Sequence, residues 1–229
     1  MLRLSVLTLF SSLALAAINI VVNPNPPLVV QSVTDAVTGA DMTGLRFSAT
    51  YLFPGNIPTT FGGVWAPTGA ASGASGSLPG PVLSLSGDSS ASLAWVYSSQ
   101  ILSLLQSITL DGSAAGILFD RSLPNPGTPG SGPGADIAFG PLFQGGADAI
   151  VVTYSGAVSL NGNPPVNDLY SKLTIDFSAL PLGGLIPQGF AFTQDSDLGV
   201  LTPEPPSSLF LLATFALGYL VRNSTGAKG

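Results

Sequence analysis

The sequence predicts a mainly β protein, an antiparallel β-sandwich or jelly-roll-like body with one apolar segment at each end. Three observations predict it. Apolar and polar residues alternate along several short segments, 28 Gly and 20 Pro punctuate the chain, and two uncharged apolar runs lie at the termini. Alternation indicates strands with one buried and one solvated face. Many short strands between Gly- and Pro-rich turns are typical of sandwiches and barrels.

The alternation is clearest in residues 45–53 and 169–177. In the first, Leu45, Phe47, Ala49, Tyr51 and Phe53 alternate with Arg46, Ser48 and Thr50. Further predicted strands are 28–34, 82–86, 92–97, 117–119, 150–155 and 190–193. Segment 100–110 also permits one short helix, because Ile101, Leu104, Leu105 and Ile108 have helical spacing.

Two segments rich in small residues and proline are predicted to be surface loops within one domain. Residues 66–80 consist almost wholly of Ala, Gly and Ser, with Pro67 and Pro79, and residues 122–135 contain four Pro and four Gly. Such composition disfavours strand ladders and helices. A second interpretation makes 122–135 a linker between two halves.

Composition excludes several functional classes. The chain has no Cys and no His, which excludes disulfides, thiolate metal sites, Cys nucleophiles and the commonest general base. Within residues 18–201, three cations (Arg46, Arg121 and Lys172) against eleven Asp give a net charge of −8. This charge favours solubility and excludes nucleic acid as a partner.

The N-terminus predicts a secretory signal peptide over residues 1–17. Arg3 precedes an uncharged, mostly apolar run, 4–15, and the small residues Ala16 and Ala17 follow it. This order is typical of a signal that directs a chain to the export translocon, with cleavage after Ala16 or Ala17. The alternative is a short buried helix at the start of the fold.

The C-terminus carries a second uncharged run, residues 207–221, followed by Arg222. As a helix, fifteen residues span about 22 Å, which is short for a hydrocarbon core of about 30 Å. We predict a transmembrane helix over 207–221 that anchors the protein transiently, with the C-terminus on the cytoplasmic side. The alternative is a C-terminal helix packed on the body.

The run follows Pro203, Glu204 and Pro205, and Glu204 is the single Glu of the chain. Pro-Glu-Pro, an apolar helix and a terminal basic residue together resemble the PEP-CTERM sorting signal, here residues 202–229. The resemblance implies an exosortase-type membrane peptidase as partner, cleavage of the tail, and transfer of the body, 18–201, to the cell surface or the extracellular space. The basic cluster is thin, consisting of Arg222 and Lys228.

Short stretches of the body, 37–44, 154–162, 168–170 and 195–197, are similar to small cyanobacterial-type PEP-CTERM proteins. That set implies no activity. We therefore expect a non-enzymatic protein with a structural or adhesive role at the cell surface or in the extracellular matrix. The alternative is a secreted carbohydrate-binding or Ca²⁺-dependent module, with extracellular polysaccharide as a candidate partner.

Few residues offer catalytic chemistry. A Ser–Lys dyad would need Lys172 as its base. Lys172 is predicted to lie on the solvated face of a strand, where its pKa stays high. Asp111 and Asp120 flank a predicted strand and are the candidate carboxylate pair for a glycosidase, although both also suit turns.

Binding chemistry has two candidates. Asp195 and Asp197, and separately Asp35 and Asp41, are candidate Ca²⁺ ligands, with solvated turn carboxylates as the alternative. No other cofactor is expected. The aromatic residues Trp65, Trp95 and Tyr97 suit sugar stacking, but core packing is the favoured prediction for them.

Overall fold

The computed structural model describes residues 18–24, 27–35, 37–88, 94–122, 127–140, 149–180 and 189–202. The predicted signal peptide 1–17 and, beyond Thr202, the predicted sorting tail lie outside these residues. The described chain is mainly β, with fifteen strands, which confirms the predicted class. Among the described residues, no helix has the length and apolar character required to span a membrane.

The strands are short, and most show the alternating burial expected of half-buried strands. In chain order they are β1 (Asn19–Asn23), β2 (Leu28–Thr34), β3 (Arg46–Phe53), β4 (Ile57–Val64), β5 (Ala66–Pro67), β6 (Ser72–Gly76), β7 (Val82–Ser86), β8 (Trp95–Ser98), β9 (Leu104–Asp111), β10 (Ile117–Asp120), β11 (Ala138–Phe139), β12 (Val151–Leu160), β13 (Leu169–Asp176), β14 (Gly189–Thr193) and β15 (Asp195–Leu201).

The strands form two sheets. The larger has nine strands in the order β1-β12-β2-β15-β10-β13-β9-β3-β4, and the smaller has six in the order β11-β14-β8-β7-β6-β5. Because β12 also pairs with β13, the strands β12, β2, β15, β10 and β13 close into a five-stranded ring. We call this ring the small barrel.

Strand β12 makes closure of the small barrel feasible because it changes partner along its length. Its first half, Val151 to Ser155, pairs with β1, and its last residues, Val158 to Leu160, pair with β2. Between the halves Gly156 has a φ of 68°, a conformation that glycine adopts at little cost. Beyond Gly156 the strand thus leaves β1 and pairs with β2 as part of the small barrel.

One hydrophobic core, which we call the main core, joins the two sheets. Phe47, Ile108 and Ile175 of the larger sheet lie in one buried cluster with Leu83, Trp95 and Phe192 of the smaller sheet. The indole rings of Trp65 and Trp95 lie 5.3 Å apart, and Trp95 stacks on Phe192 at 6.1 Å. Trp65, Trp95 and Tyr97 are therefore core residues, as favoured, and do not present rings to a sugar.

Two pairings differ from the purely antiparallel prediction. Strand β12 runs parallel to both β1 and β2, whereas the other pairs of named strands in the described chain are antiparallel. The long connection from β2 to β12 allows either direction, and alternation of residues along one strand does not encode the direction of its partner. The sandwich and jelly-roll topologies are not confirmed.

The possible helix at 100–110 was a wrong prediction, because β9 occupies most of it. A β-bulge explains the misleading spacing. Thr50 pairs with Ser107 but Tyr51 pairs with Leu105, which leaves Gln106 as an extra residue. The inward side chains Leu105 and Ile108 are therefore three positions apart, as in a helix, although both belong to a strand.

The predicted loop 66–80 was also wrong in part, since it contains β5 and β6. Its small residues are needed because β6 lies directly against Trp65. A Cβ atom at Gly73 would clash with the Trp65 indole nitrogen and with the carbonyl oxygen of Gly39. The same indole nitrogen donates a hydrogen bond of 2.7 Å to that carbonyl. Segment 127–135, in contrast, contains no strand, as predicted.

We expect Gly73→Ala to lower the free energy of unfolding by about 3 kcal/mol, because a methyl group there displaces Trp65 from the core. Denaturation of the purified protein with guanidinium chloride measures the change. Gly140→Ala is the matched control, since a Cβ there meets only the Ala191 carbonyl at an ordinary 3.4 Å. Equal stability of the two variants would contradict the packing argument.

Candidate functional site

The interior of the small barrel has an apolar part and an acidic part. The apolar part is a cluster of Val30, Val33, Leu118, Val158 and Leu169. The acidic part consists of four buried carboxylates, Asp120, Asp168, Asp195 and Asp197. We call these four residues the acidic end.

Strands β10 and β15 bring three members of the acidic end together. Asp120 lies directly opposite Asp195 in the antiparallel pair, and Leu118 lies opposite Asp197. Directly opposed Cβ atoms are about 5 Å apart, and diagonal neighbours such as Asp120 and Asp197 about 7–8 Å. Residues two apart on a strand share a face, so all three carboxylates point into the barrel with Leu118.

Most oxygens of these three carboxylates have no hydrogen-bond partner among the described residues. Both oxygens of Asp120, both of Asp197 and Oδ1 of Asp195 are buried and unpartnered. Asp120 is 1% exposed and Asp197 is 0% exposed. Burying an ionised carboxylate without a partner is costly, so the acidic end must be neutralised by protons or by a cation.

The pKa values reflect this environment. Burial raises the pKa of Asp197 to about 8, and the negative charges of Asp120 and Asp195 add to the rise. Burial likewise raises the pKa of Asp120 to about 7 and that of Asp195 to about 6. The backbone amide of Arg121 lowers the pKa of Asp120 and so opposes this rise. The hydrogen bond of that amide, however, goes to the Asp168 carbonyl at 3.0 Å.

Asp168 differs from the other three because its carboxylate is fully used in hydrogen bonds. Its Oδ1 accepts from the Thr128 hydroxyl at 2.7 Å and from the Leu169 amide at 2.9 Å. Its Oδ2 accepts from the Thr128 amide. Asp168 therefore fastens the segment that contains Thr128 across the barrel.

That segment, residues 127–134, covers the acidic end closely because it is rich in glycine. A Cβ atom at Gly127 would meet the carboxylate of Asp168, and one at Gly134 would clash with that of Asp120. An open cleft of about 460 Å³ lies between this segment and the barrel, and Asp120 and Asp168 are among its lining residues. Asp120 thus connects the cleft with the barrel interior.

None of the three cations of the described chain is in an ion pair with the acidic end. Arg121 pairs with Asp136, with Nε 2.7 Å from Oδ1, and its guanidinium lies 5.3 Å from the centre of the Tyr154 ring. The Nζ atom of Lys172, on β13, lies 3.6 Å from Oδ2 of Asp111. Asp111 belongs to β9, which borders β13 on the side away from β10. Arg46 is exposed on β3, opposite Asp111.

Gln194, immediately before β15, connects the acidic end with the main core. Its side-chain amide nitrogen donates to the carbonyls of Asp120 at 2.7 Å and Asp195 at 2.8 Å. Its side-chain oxygen accepts from the Tyr154 hydroxyl at 2.5 Å. Its backbone carbonyl accepts from the Trp95 indole at 3.2 Å. This buried residue fixes the end of β10 relative to β15.

The structure does not bring the predicted glycosidase pair together. Asp111 ends β9 and Asp120 ends β10, and these strands flank β13 on opposite sides, about 10 Å apart. Asp111 is moreover held by Lys172 and by the Ser113 hydroxyl, which donates to it at 2.6 Å. The acidic residue directly opposite Asp120 in the sheet is Asp195.

Only one of the two predicted calcium pairs belongs to the acidic end. Asp195 and Asp197 belong to it, although they lie in a strand and not in the solvated turn that we weighed as the alternative. Asp41 is exposed and closes a turn, accepting hydrogen bonds from the Thr38 amide at 3.0 Å and hydroxyl at 2.6 Å. Ala16, Ala17, Pro203, Glu204, Pro205 and Arg222 lie outside the described residues.

The exposed Asp35 lies beside segment 127–134, where a Cβ atom at Gly132 would meet its carboxylate. Its negative charge raises the pKa of Asp195 and of Asp197, so one residue of the second predicted calcium pair lies near the acidic end.

The sequence reasoning missed Asp168 and assigned Asp120 to the wrong pair. The sequence signal for Asp195 and Asp197 was present, because Asp195, Asp197, Gly199 and Leu201 alternate with period two, as inward positions of a strand do. The described residues include no group of three or more acidic side chains already positioned to hold a metal ion.

In the comparisons with known proteins, no family model, no curated protein and no solved structure matches the chain.

Proposed function

We propose that the protein is an exported bacterial-type surface protein, whose β body is delivered by a signal peptide and released from its C-terminal sorting signal. One observation carries the proposal: the β strands fill the interval between the two predicted processing sites. The first strand starts at Asn19, two residues after Ala17, and the last ends at Leu201, two residues before Pro203. Cleavage at either site would leave every described strand intact.

The residues at the two borders support this division. Ile18 packs against the main core, and the Asn19 amide donates to the Ile150 carbonyl at 3.3 Å. At the other border, the Thr202 hydroxyl donates to the Val29 carbonyl at 3.0 Å. The translocon and an exosortase-type peptidase are the proposed partners, and the predicted helix 207–221 is the proposed transient membrane anchor.

The body itself is proposed to have a structural or adhesive role. Its aromatic core residues are buried. Its candidate base, Lys172, is paired with Asp111 and therefore does not activate a nucleophile there. We also propose that the body is a variant of the β-sandwich in which one sheet curls into the small barrel. The hydrophobic core shared by the two sheets supports this description.

The test is the intact mass of the protein from bacteria with and without the exosortase-type enzyme. We expect a product that lacks residues 1–16 or 1–17 and the tail in the first strain, and one that retains the tail in the second. Glu204→Ala should retain the tail in both strains, whereas Asp41→Ala, which removes one exposed carboxylate from the body, should be processed normally. Identical masses and locations in the two strains would refute the proposal.

A further inference from the structure

The acidic end presents an unbalanced charge inside the protein. Asp120 and Asp197 are buried, and all four of their carboxylate oxygens lack hydrogen-bond partners among the described residues. The nearest basic side chain along the chain, Arg121, is occupied by Asp136. A buried carboxylate at neutral pH requires either a bound proton or a bound cation.

We propose that the acidic end binds a divalent cation, with Ca²⁺ as the matching ion and with Asp120, Asp195 and Asp197 as its carboxylate ligands. The register supports this set, because Asp120 and Asp195 are directly opposed and Asp197 is the diagonal neighbour of Asp120. Their Cβ atoms, about 5 Å and 7–8 Å apart, leave room for one ion between the carboxylates. Ca²⁺–oxygen distances of about 2.3–2.6 Å fit that space.

The donor chemistry selects the ion. The chain contains no His and no Cys, so the donors here are oxygens, which suit hard cations and not zinc or copper. Mg²⁺ demands octahedral geometry and keeps several waters, whereas Ca²⁺ accepts irregular sets of carboxylates and backbone carbonyls. An irregular set is what a strand pair and a glycine-rich segment provide.

The carboxylates do not yet form a ready-made ligand set in the described structure. Binding therefore requires their side chains to turn toward one centre, which their lack of hydrogen bonds permits. Asp168, in contrast, is held by Thr128 and keeps its role in fastening segment 127–134. The cleft beside Asp120 provides the entry route for the ion.

Protons and the cation compete for the same oxygens. The charged groups that act on Asp197 are Asp120, Asp195, Asp35 and Asp168, and Asp88 also acts on Asp195. All of these are acidic, so each favours the uptake of either a proton or a cation. Ca²⁺ binding is accordingly expected to strengthen from pH 5 to pH 8 and to release protons.

The experiment compares the melting temperature of the purified full chain in millimolar CaCl₂ and in NaCl of equal ionic strength. At pH 8 we expect CaCl₂ to raise the melting temperature by about 4 °C, and at pH 5 to raise it much less. Titration calorimetry in two buffers of different ionisation enthalpy should show proton release. The absence of a calcium-specific shift at pH 8 would overturn the proposal and leave protons as the neutralising partner.

Two variants separate binding from folding. Asp197→Asn removes a buried charge, so it should fold, melt higher than the parent protein at pH 8 without calcium, and lose the calcium shift. Asp41→Asn removes an exposed carboxylate from the competing candidate and should keep the full shift. A calcium shift that persists in Asp197→Asn would contradict the assigned ligands. The intact masses that test export and trimming do not depend on this result, so the two proposals fail separately.

Discussion

The free energy of unfolding of the metal-free protein is expected to fall as the pH rises from 5 to 8. The folded state holds protons on Asp195, Asp120 and Asp197 up to about pH 6, 7 and 8, respectively. In an unfolded chain the pKa of an Asp carboxyl group is 3.8. Between these limits the folded state binds more protons than the unfolded state, so stability decreases with increasing pH. The expected loss is several kcal/mol, because each proton held over one further pH unit is worth about 1.4 kcal/mol.

Chemical denaturation in chelator-containing buffers from pH 4 to pH 8 measures this slope. Asp197→Asn should flatten it, because an amide does not titrate. Asp41→Asn should leave it unchanged above pH 5, because the hydrogen bonds from Thr38 lower the pKa of Asp41 and its titration ends below that range. Stability that rises from pH 5 to pH 8 without metal would mean that the acidic end is solvated and ionised.

Sequence alone predicts those strands whose packing follows the simple alternation. Segment 28–34 coincides with β2, and 82–86 coincides with β7. It fails where a neighbour in space changes the local pattern. The extra residue Gln106 gives a strand the spacing of a helix. Close packing against Trp65 requires small residues in β6, Ser72–Gly76, and such a composition is typical of a loop.

The candidate site was predictable only in part for a related reason. Asp disfavours strands, so the pair Asp195 and Asp197 suggests a turn until the following Gly199 and Leu201 are included in the alternation. The partner Asp120 comes from β10, some 75 residues earlier in the chain. Its position opposite Asp195 depends on the order of strands in the closed ring, which no local spacing encodes.

Replacement of Gln194 by Leu is expected to destabilise the protein by on the order of 4 kcal/mol. The side chain has a similar volume, but it removes the hydrogen bonds to the buried Tyr154 hydroxyl and to the carbonyls of Asp120 and Asp195. Each buried polar group left without a partner costs about 1–3 kcal/mol. Because these carbonyls end β10 and begin β15, the loss also loosens the strand pair that holds the acidic end.

A neighbouring residue provides the control. Thr193→Val removes a long, exposed hydrogen bond of 3.5 Å to the Ala138 carbonyl and should change stability by less than about 0.5 kcal/mol. Gln194→Glu separates donor loss from volume. It retains an acceptor for Tyr154 and adds a buried carboxyl group beside Asp120, and when ionised it has no donor. We therefore expect it to be less destabilising at pH 5, where that group is protonated, than at pH 8. Denaturation midpoints that are equal for Gln194→Leu and Thr193→Val would show that strand pairing, and not this side chain, fixes β10 against β15.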